Sequence, residues 1–304
     1  MINIGIIGAG YWGKNLIRNF GNLENVSIKY FCDKNKDMFK DIKDQEIKIV
    51  SDYQEILTDD SVNAVIIATN IPSHYKLTKD SLLAGKDVFV EKPLAIKQKE
   101  AEELFDLAKA KKLILFVDYT LLYLSPVKKM KEIIEQDQIG KVYLLKIDRL
   151  NHPRAGQGQD AVIDLLPHDI SVLYFLFKSF PDKVLAIGSN EHIVIFLRYS
   201  SYIVNIELSR ISYKRERAYY VYGEKGMVIW DGLKSENNLK LIDDLYKETV
   251  YSEIDLNEPL AKVCQDFAER CMDRNYLDSE LSIQISKIFK AIDKSREKEM
   301  WVKV

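Results

Sequence analysis

Glu91-Lys92-Pro93 lies about eighty residues beyond a glycine turn, Gly8-Ala9-Gly10-Tyr11-Trp12-Gly13. The turn directly follows the apolar run Ile4-Gly5-Ile6-Ile7, where a strand would give way to a helix. Such a turn presents backbone N–H groups and the positive end of a helix dipole to a pyrophosphate. G-x-G-x-x-G alone is a weak signal, but its surroundings agree with it. The preceding strand is short and apolar, and Gly13–Phe20 reads as a helix with Leu16, Ile17 and Phe20 on one face. A second strand, Val26–Cys32, then ends at Asp33, twenty residues after Gly13. A carboxylate at that point accepts hydrogen bonds from an adenine ribose and repels a 2′-phosphate, which predicts NAD. Lys34, an adjacent cation, keeps NADP as the alternative. The competing reading is a plain strand–helix turn.

Lys92 follows Val88-Phe89-Val90, at the C-terminal end of an expected strand. Open α/β sheets place their ligands at that end. Pro93 fixes φ and removes a donor, so the chain turns there. A lysine is a poor base at neutrality unless burial or a neighbouring cation lowers its pKa; its ammonium can also polarise a carbonyl and deliver a proton. The alternative is an ordinary solvated lysine.

Asp164 and His168 stand four apart in Asp164-Leu165-Leu166-Pro167-His168-Asp169. On a helix both would share one face. His168 could relay an alcohol proton, with Asp164 fixing its tautomer or anchoring a hydroxyl. Pro167 suggests that the helix starts only near that point, which loosens the spacing argument. A satisfied core histidine is the competing reading, and Asp169 is expected to face away as a cap. The preceding segment, Asn151 to Gly158, can reach the same cleft. Arg154 could clamp a phosphate or carboxylate and Asn151 could bind a sugar hydroxyl, unless this is an ordinary surface loop.

The elements that must position these groups fall into two patterns. Residues 1–118 alternate strand and helix, with strands expected at Ile2–Ile7, Val26–Cys32, Ala64–Ala68, Asp87–Val90 and Leu113–Val117. That alternation predicts an α/β domain with a parallel sheet covered on both faces. Residues 119–304 read differently. A helix, a strand at Lys141–Leu150 and a helix near Asp164–Phe177 lead into successive short strands, and two further helices close the chain. Strands joined by tight turns predict an α+β domain with an open, mainly antiparallel sheet. Seventeen tyrosines include Tyr199, Tyr202, Tyr219 and Tyr220, which either line the open face, favouring a homodimer or homotetramer, or fill the core.

At 304 residues with a formal charge of −2, the chain can bury two cores and shows no broad attraction for nucleic acid or anionic membrane. Cys32, Cys264 and Cys271 match no zinc spacing and no disulfide framework, so no metal is expected and the thiols read as core residues. The first strand begins almost at the N-terminus, leaving no room for a signal peptide, and a reducing cytoplasm is the expected compartment.

Taken together, Gly8–Gly13, Ala68-Thr69-Asn70-Ile71-Pro72-Ser73-His74, Ala84 to Leu94 and Asp164-x-x-x-His168 resemble the Gfo/Idh/MocA oxidoreductases over essentially the whole chain. The resemblance implies a Rossmann domain at 1–118 and a substrate-binding and oligomerisation domain at 119–304. It implies Lys92 and His168 as catalytic, supported by Asp164. It places Thr69, Asn70, Pro72 and His74 along the nicotinamide side, Glu91 beside the cofactor, and Tyr123 with Asn151 and Arg154 at the substrate. Gly10-Tyr11-Trp12-Gly13-Lys14-Asn15-Leu16, Arg149-Leu150-Asn151 and Asp164 to Asp169 are similar to the nucleotide-sugar branch, which oxidises the C3 hydroxyl of UDP-N-acetylhexosamines or hexosaminuronates. The chain departs from relatives at Asp118 and Tyr119, where glycine and histidine are usual, at Leu124-Ser125 and in the glycine-rich Arg154–Gln159. The expected reaction is therefore hydride transfer from sugar C3 to NAD. The alternatives are NADPH-driven reduction of a 3-ketosugar nucleotide, a free polyol or inositol dehydrogenase, and a non-catalytic nucleotide-binding sensor.

Overall fold

The computed structural model describes every residue except 41–45, 153–159, 237, 252–257 and 277–278. The chain divides into two compact units, Met1–Thr120 with Asn257–Ile283, and Leu121–Leu256 with Gln284–Val304. In chain order the first unit opens with β1 (Ile2–Ile7), α1 (Tyr11–Gly21), β2 (Val26–Cys32), β3 (Lys48–Val50), α2 (Gln54–Leu57), β4 (Ala64–Ile67), α3 (Ile71–Leu83), β5 (Asp87–Glu91), α4 (Gln98–Lys111) and β6 (Leu115–Asp118). The strands pair in parallel in the order β3-β2-β1-β4-β5-β6. β4 and β5 are buried along their whole length, which is why their sequences are continuous rather than alternating apolar runs.

The second unit contains α5 (Ser125–Glu135), β7 (Val142–Leu150), α6 (Ala161–Phe177), β8 (Lys183–Gly188), β9 (His192–Arg198), β10 (Ile203–Ser209), β11 (Glu216–Gly223), β12 (Gly226–Asp231), β13 (Leu239–Asp243) and β14 (Glu248–Tyr251). After these come α7 (Pro259–Asp273), α8 (Glu280–Lys298) and β15 (Val302–Lys303). The sheet runs β14-β13-β12-β11-β7-β10-β9-β8-β15, parallel at β7–β10 and antiparallel at the other pairings. α6 packs on β9 and β10. On α8, the Ser295 hydroxyl accepts the Ala186 N–H of β8 at 3.0 Å.

The expected boundary at 118/119 requires one correction. α7 belongs with the first unit, although about 140 residues separate it from β6. Its stripe of Leu260, Val263, Cys264, Phe267, Ala268 and Cys271 is buried. The Phe267 ring lies 5.5 Å from Phe89, 5.7 Å from Phe116 and 6.1 Å from Phe20, tilted edge-on to each. Arg274, just past α7, donates to both carboxylate oxygens of Asp87 at 2.8 Å. The tyrosines divide unevenly. Tyr219 is buried beneath α6, and Tyr199 and Tyr202 are buried and stacked at 4.4 Å. Tyr220 instead lies half-buried on the opposite sheet face with Lys146 over its ring, so the core reading holds for the other three. No helix among the described residues is long and apolar enough to cross a membrane.

Replacing Phe267 by alanine removes one ring from a four-ring cluster. The expected loss is about 3–5 kcal/mol of unfolding free energy, read from urea denaturation.

Candidate active site

The glycine turn connects β1 to α1 as its spacing predicts. A Cβ on Gly13 would stand 1.8 Å from the Gly8 carbonyl oxygen, so helix and strand approach as closely as glycine allows. Gly10 differs: its backbone is extended, and an added Cβ would meet nothing within 4 Å. The protein's own packing therefore does not require glycine there; the space in front of α1's N-terminus is open, where backbone N–H groups can meet an anion. Gly8 N–H donates to the Cys32 carbonyl at 2.8 Å, tying the turn to the end of β2. Asp33 follows that end, accepting Ala9 N–H at 2.8 Å on Oδ2 and Asn35 N–H at 2.9 Å on Oδ1.

Gly8, Gly10, Cys32 and Asp33 line a cavity of about 780 Å3, together with Tyr11, Trp12, Lys34, Thr69, Asn70 and Pro72. Tyr11 and Trp12 are 76% and 46% exposed, unusual for large aromatics at a helix start, and they meet edge-to-face at 5.3 Å. Asn70 is the N-cap of α3; its Oδ1 accepts the Ser73 hydroxyl at 2.8 Å, and Ser73 Oγ lies 2.7 Å from Thr69 Oγ1. Ser51, Tyr53, Ser73 and Lys76 also line the cavity, although motif reading passed over them. Ser51 follows β3, a short strand with two exposed positions and hence little apolar pattern to reveal it. The missing strand next to β2 was the available signal, since ligands gather at the carboxyl ends of such sheets.

Lys92 is half-buried immediately after β5, and the Lys92–Pro93 peptide bond is cis. His74 is 1% exposed and, like Gly13, Glu91 and Lys92, is not among the residues that line the cavity. Its Nδ1 lies 2.9 Å from the Pro93 carbonyl oxygen and its Nε2 3.1 Å from that of Thr69. The ring thus staples the turn after β5 to the turn after β4. Burial holds its pKa below the usual histidine value, against the pull of both carbonyls. Glu91 and Asp118, at the ends of β5 and β6, are both buried. Burial, followed by the charge of Asp118, raises the Glu91 pKa well above the carboxylate range. Burial pushes Asp118 up to about 6, although its Oδ1 accepts the Thr120 hydroxyl at 2.6 Å.

In the second unit, α6 begins earlier than Pro167 suggested. Asp160 caps it by accepting Val162 N–H at 2.8 Å, and Pro167 lies inside the helix. Asp164 and His168 therefore do share a helix face. Arg210 Nη1 donates to Asp164 Oδ2 at 3.0 Å, and the His168 carbonyl accepts the Ser171 hydroxyl at 2.7 Å. Asp169 is not a cap. It is fully buried, accepts Arg149 Nε at 2.9 Å on Oδ2 and accepts the Tyr219 hydroxyl on Oδ1. Asn151 is half-buried where β7 ends, its N–H donating to the Ser209 carbonyl at 2.8 Å. Tyr123 is half-buried with Lys128 Nζ 5.9 Å from its ring centre. Arg154 lies outside the described residues.

The profile described as "Oxidoreductase family, NAD-binding Rossmann fold" matches residues 2–119, and that of the GFO/IDH/MocA C-terminal domain matches residues 127–229. The chain is 25% identical over 266 residues to the myo-inositol 2-dehydrogenase of Thermotoga maritima, covering 80% of this chain and 79% of that protein. Other curated relatives are matched over about half of their own length. Among solved structures, the myo-inositol 2-dehydrogenase of Lactobacillus plantarum has a TM-score of 0.84 at 20% identity, covering 100% of this chain and 99% of that one. A variant of a 3-ketoreductase from Actinomadura kijaniata, in complex with TDP-benzene and NADP, has a TM-score of 0.86 at 16% identity over 97% and 98% of the two chains. At these identities the two structures establish likeness of fold.

Two experiments follow. Gly10→Val should melt like the parent yet bind NADH at least tenfold more weakly by fluorescence titration, about 1.4 kcal/mol, whereas Gly13→Ala should lose thermal stability. Asp169→Asn should cost about 3–5 kcal/mol in urea unfolding, because it leaves the Arg149 charge buried without its partner.

Proposed function

Because the chain belongs to the GFO/IDH/MocA oxidoreductase family, we propose that it oxidises a secondary ring alcohol of a cyclic polyol or sugar with NAD, a reaction of the inositol dehydrogenase type. The observation that carries this reading lies in the first unit. The open glycine cradle and the half-buried amine of Lys92 sit at the carboxyl ends of β1 and β5, with only β4 between those strands. The inositol dehydrogenases among the curated relatives support a free polyol over the nucleotide-linked sugar that local motifs suggest.

The turn after β1 and the N-terminus of α1 would hold the pyrophosphate, Asp33 the adenine ribose, and Thr69, Asn70 and Pro72 the remainder of the cofactor. Asp33 argues for NAD by repelling a 2′-phosphate, while exposed Lys34 keeps NADP within reach. Bound nicotinamide supplies the site that accepts or donates the hydride. Lys92 takes the hydroxyl proton during oxidation and returns it during reduction. His168 and Asp164 complete the proposed catalytic set. Arg210 partly offsets the Asp164 charge, leaving the carboxylate able to accept a hydrogen bond without carrying an isolated charge. Asn151, Arg154 and Tyr123 are the proposed substrate contacts.

A second reading, oxidation or reduction at C3 of a nucleotide-linked sugar, draws on the motifs Gly10–Leu16, Arg149-Leu150-Asn151 and Asp164–Asp169. A panel of free cyclic polyols and UDP-N-acetylhexosamines, with NAD and with NADP, separates the two at the reduced-cofactor absorbance. Turnover of free polyols with NAD is the expected result; turnover confined to UDP-sugars would replace the first reading by the second. On the substrate found, Lys92→Ala should lower kcat by about 100- to 10,000-fold while NADH binding is retained. Turnover at the parent rate would remove Lys92 from the mechanism.

A further inference from the structure

Glu91 and Asp118 are direct register partners on the parallel strands β5 and β6. Registered neighbours project to the same face, and adjacent strands lie only about 4.8 Å apart. Two carboxyl groups thus end side by side in the first unit, 7% and 1% exposed. Glu91 Oε1 and Asp118 Oδ2 are buried without a hydrogen-bond partner among the described residues. Buried carboxylate oxygens normally accept hydrogen bonds, and each orphan costs free energy. A proton held between the two carboxyls would remove most of that cost, and two like charges at such range do not both persist out of water.

The surroundings decide how much charge the pair can bear. β5 contributes Glu91 itself and then Lys92. The Thr120 hydroxyl after β6 donates to Asp118. Across from them on α7 stands the Cys264 thiol, its pKa raised by burial and then by Asp118 and Glu91, with Glu258 before that helix ion-paired to Arg18. Tyr119 is bound to Ser282, at 2.9 Å. His74 of α3 faces Lys92 and is disfavoured as a cation by burial. Lys92 is therefore the cation this group of side chains offers.

We infer that Glu91 and Asp118 hold one proton and one negative charge between them behind Lys92, and that Asp118 is a positioning residue which balances and orients that ammonium. This rests on the proposed role of Lys92.

Asp118→Asn tests it, because the substitution keeps size and the Thr120 contact but removes an ionisation. The folded chain binds the Asp118 proton more tightly than the unfolded chain does, so parent stability should fall as pH rises through about 6. Between about pH 5 and about pH 8, the variant's melting temperature should fall less than the parent's and end above it. On the substrate identified above, kcat at neutral pH should drop about tenfold with little change in KM, and the step near pH 6 on the acid side of the pH–rate profile should disappear while the limb set by the proton-accepting amine remains. Parallel melting curves with the variant lower throughout would mean a merely structural aspartate and overturn the inference. If the variant does not fold, the parent's infrared spectrum in D2O decides: a protonated-carboxyl C=O band persisting above neutrality supports the shared proton, and its absence refutes it. Such a band with an unchanged rate profile in the variant would overturn the positioning role, while Lys92→Ala alone judges the reaction.

Discussion

One line of parallel register organises the first unit. Ile7, Ile67, Val90 and Val117 lie abreast on β1, β4, β5 and β6. The residues that follow them therefore reach a common edge: the glycine turn, Ala68-Thr69, Glu91-Lys92 and the end of β6. A slip of one residue in any pairing would turn the next side chain to the opposite face. The strands resist it because they are buried on both sides, and each apolar side chain already has its place. Cofactor cradle and amine are thus held by the same hydrophobic packing that holds the sheet.

The second unit solves a comparable problem with charge. α6 is held to the sheet by Asp169, whose carboxylate meets Arg149 of β7 and Tyr219 of β11 within the core. Such a buried group adds little net stability compared with apolar packing, but it tolerates few alternative geometries. Neighbouring residues on a helix are separated by about 100°. Turning Asp169 inward therefore fixes the direction in which His168 and Asp164 project. Apolar contacts along α6 could tolerate a small roll of the helix; a bidentate guanidinium–carboxylate pair does not.

Much of this was legible in the sequence where local pattern and chemistry coincide. The strand–turn–helix at Gly8–Gly13, the strand that delivers Lys92 and the acidic residue at 33 all reveal themselves through short-range spacing. Legibility failed where the deciding partner is distant. Nothing around Asp169 announces that Arg149 and Tyr219 wait for it, so a cap was the natural local reading. Pro167 signals a helix start, yet Asp160 supplies a better N-cap and the first turns absorb the proline further in. β3 escaped because an edge strand with exposed positions carries hardly any periodicity. His74 and Glu91 stand out by motif, but the motif does not show that both side chains are buried. The Glu91–Asp118 pair emerges only when cross-strand register is known.

α7 carries a consequence for how the molecule is made. The rings of Phe20, Phe89 and Phe116 come from the first 116 residues, and Phe267 closes over them from far along the chain. During synthesis the ribosome releases the parallel sheet long before this ring exists. The nascent domain must then wait with an apolar flank uncovered while all but the last strand of the second sheet is translated, so productive maturation of the dinucleotide module is a late event rather than an early one.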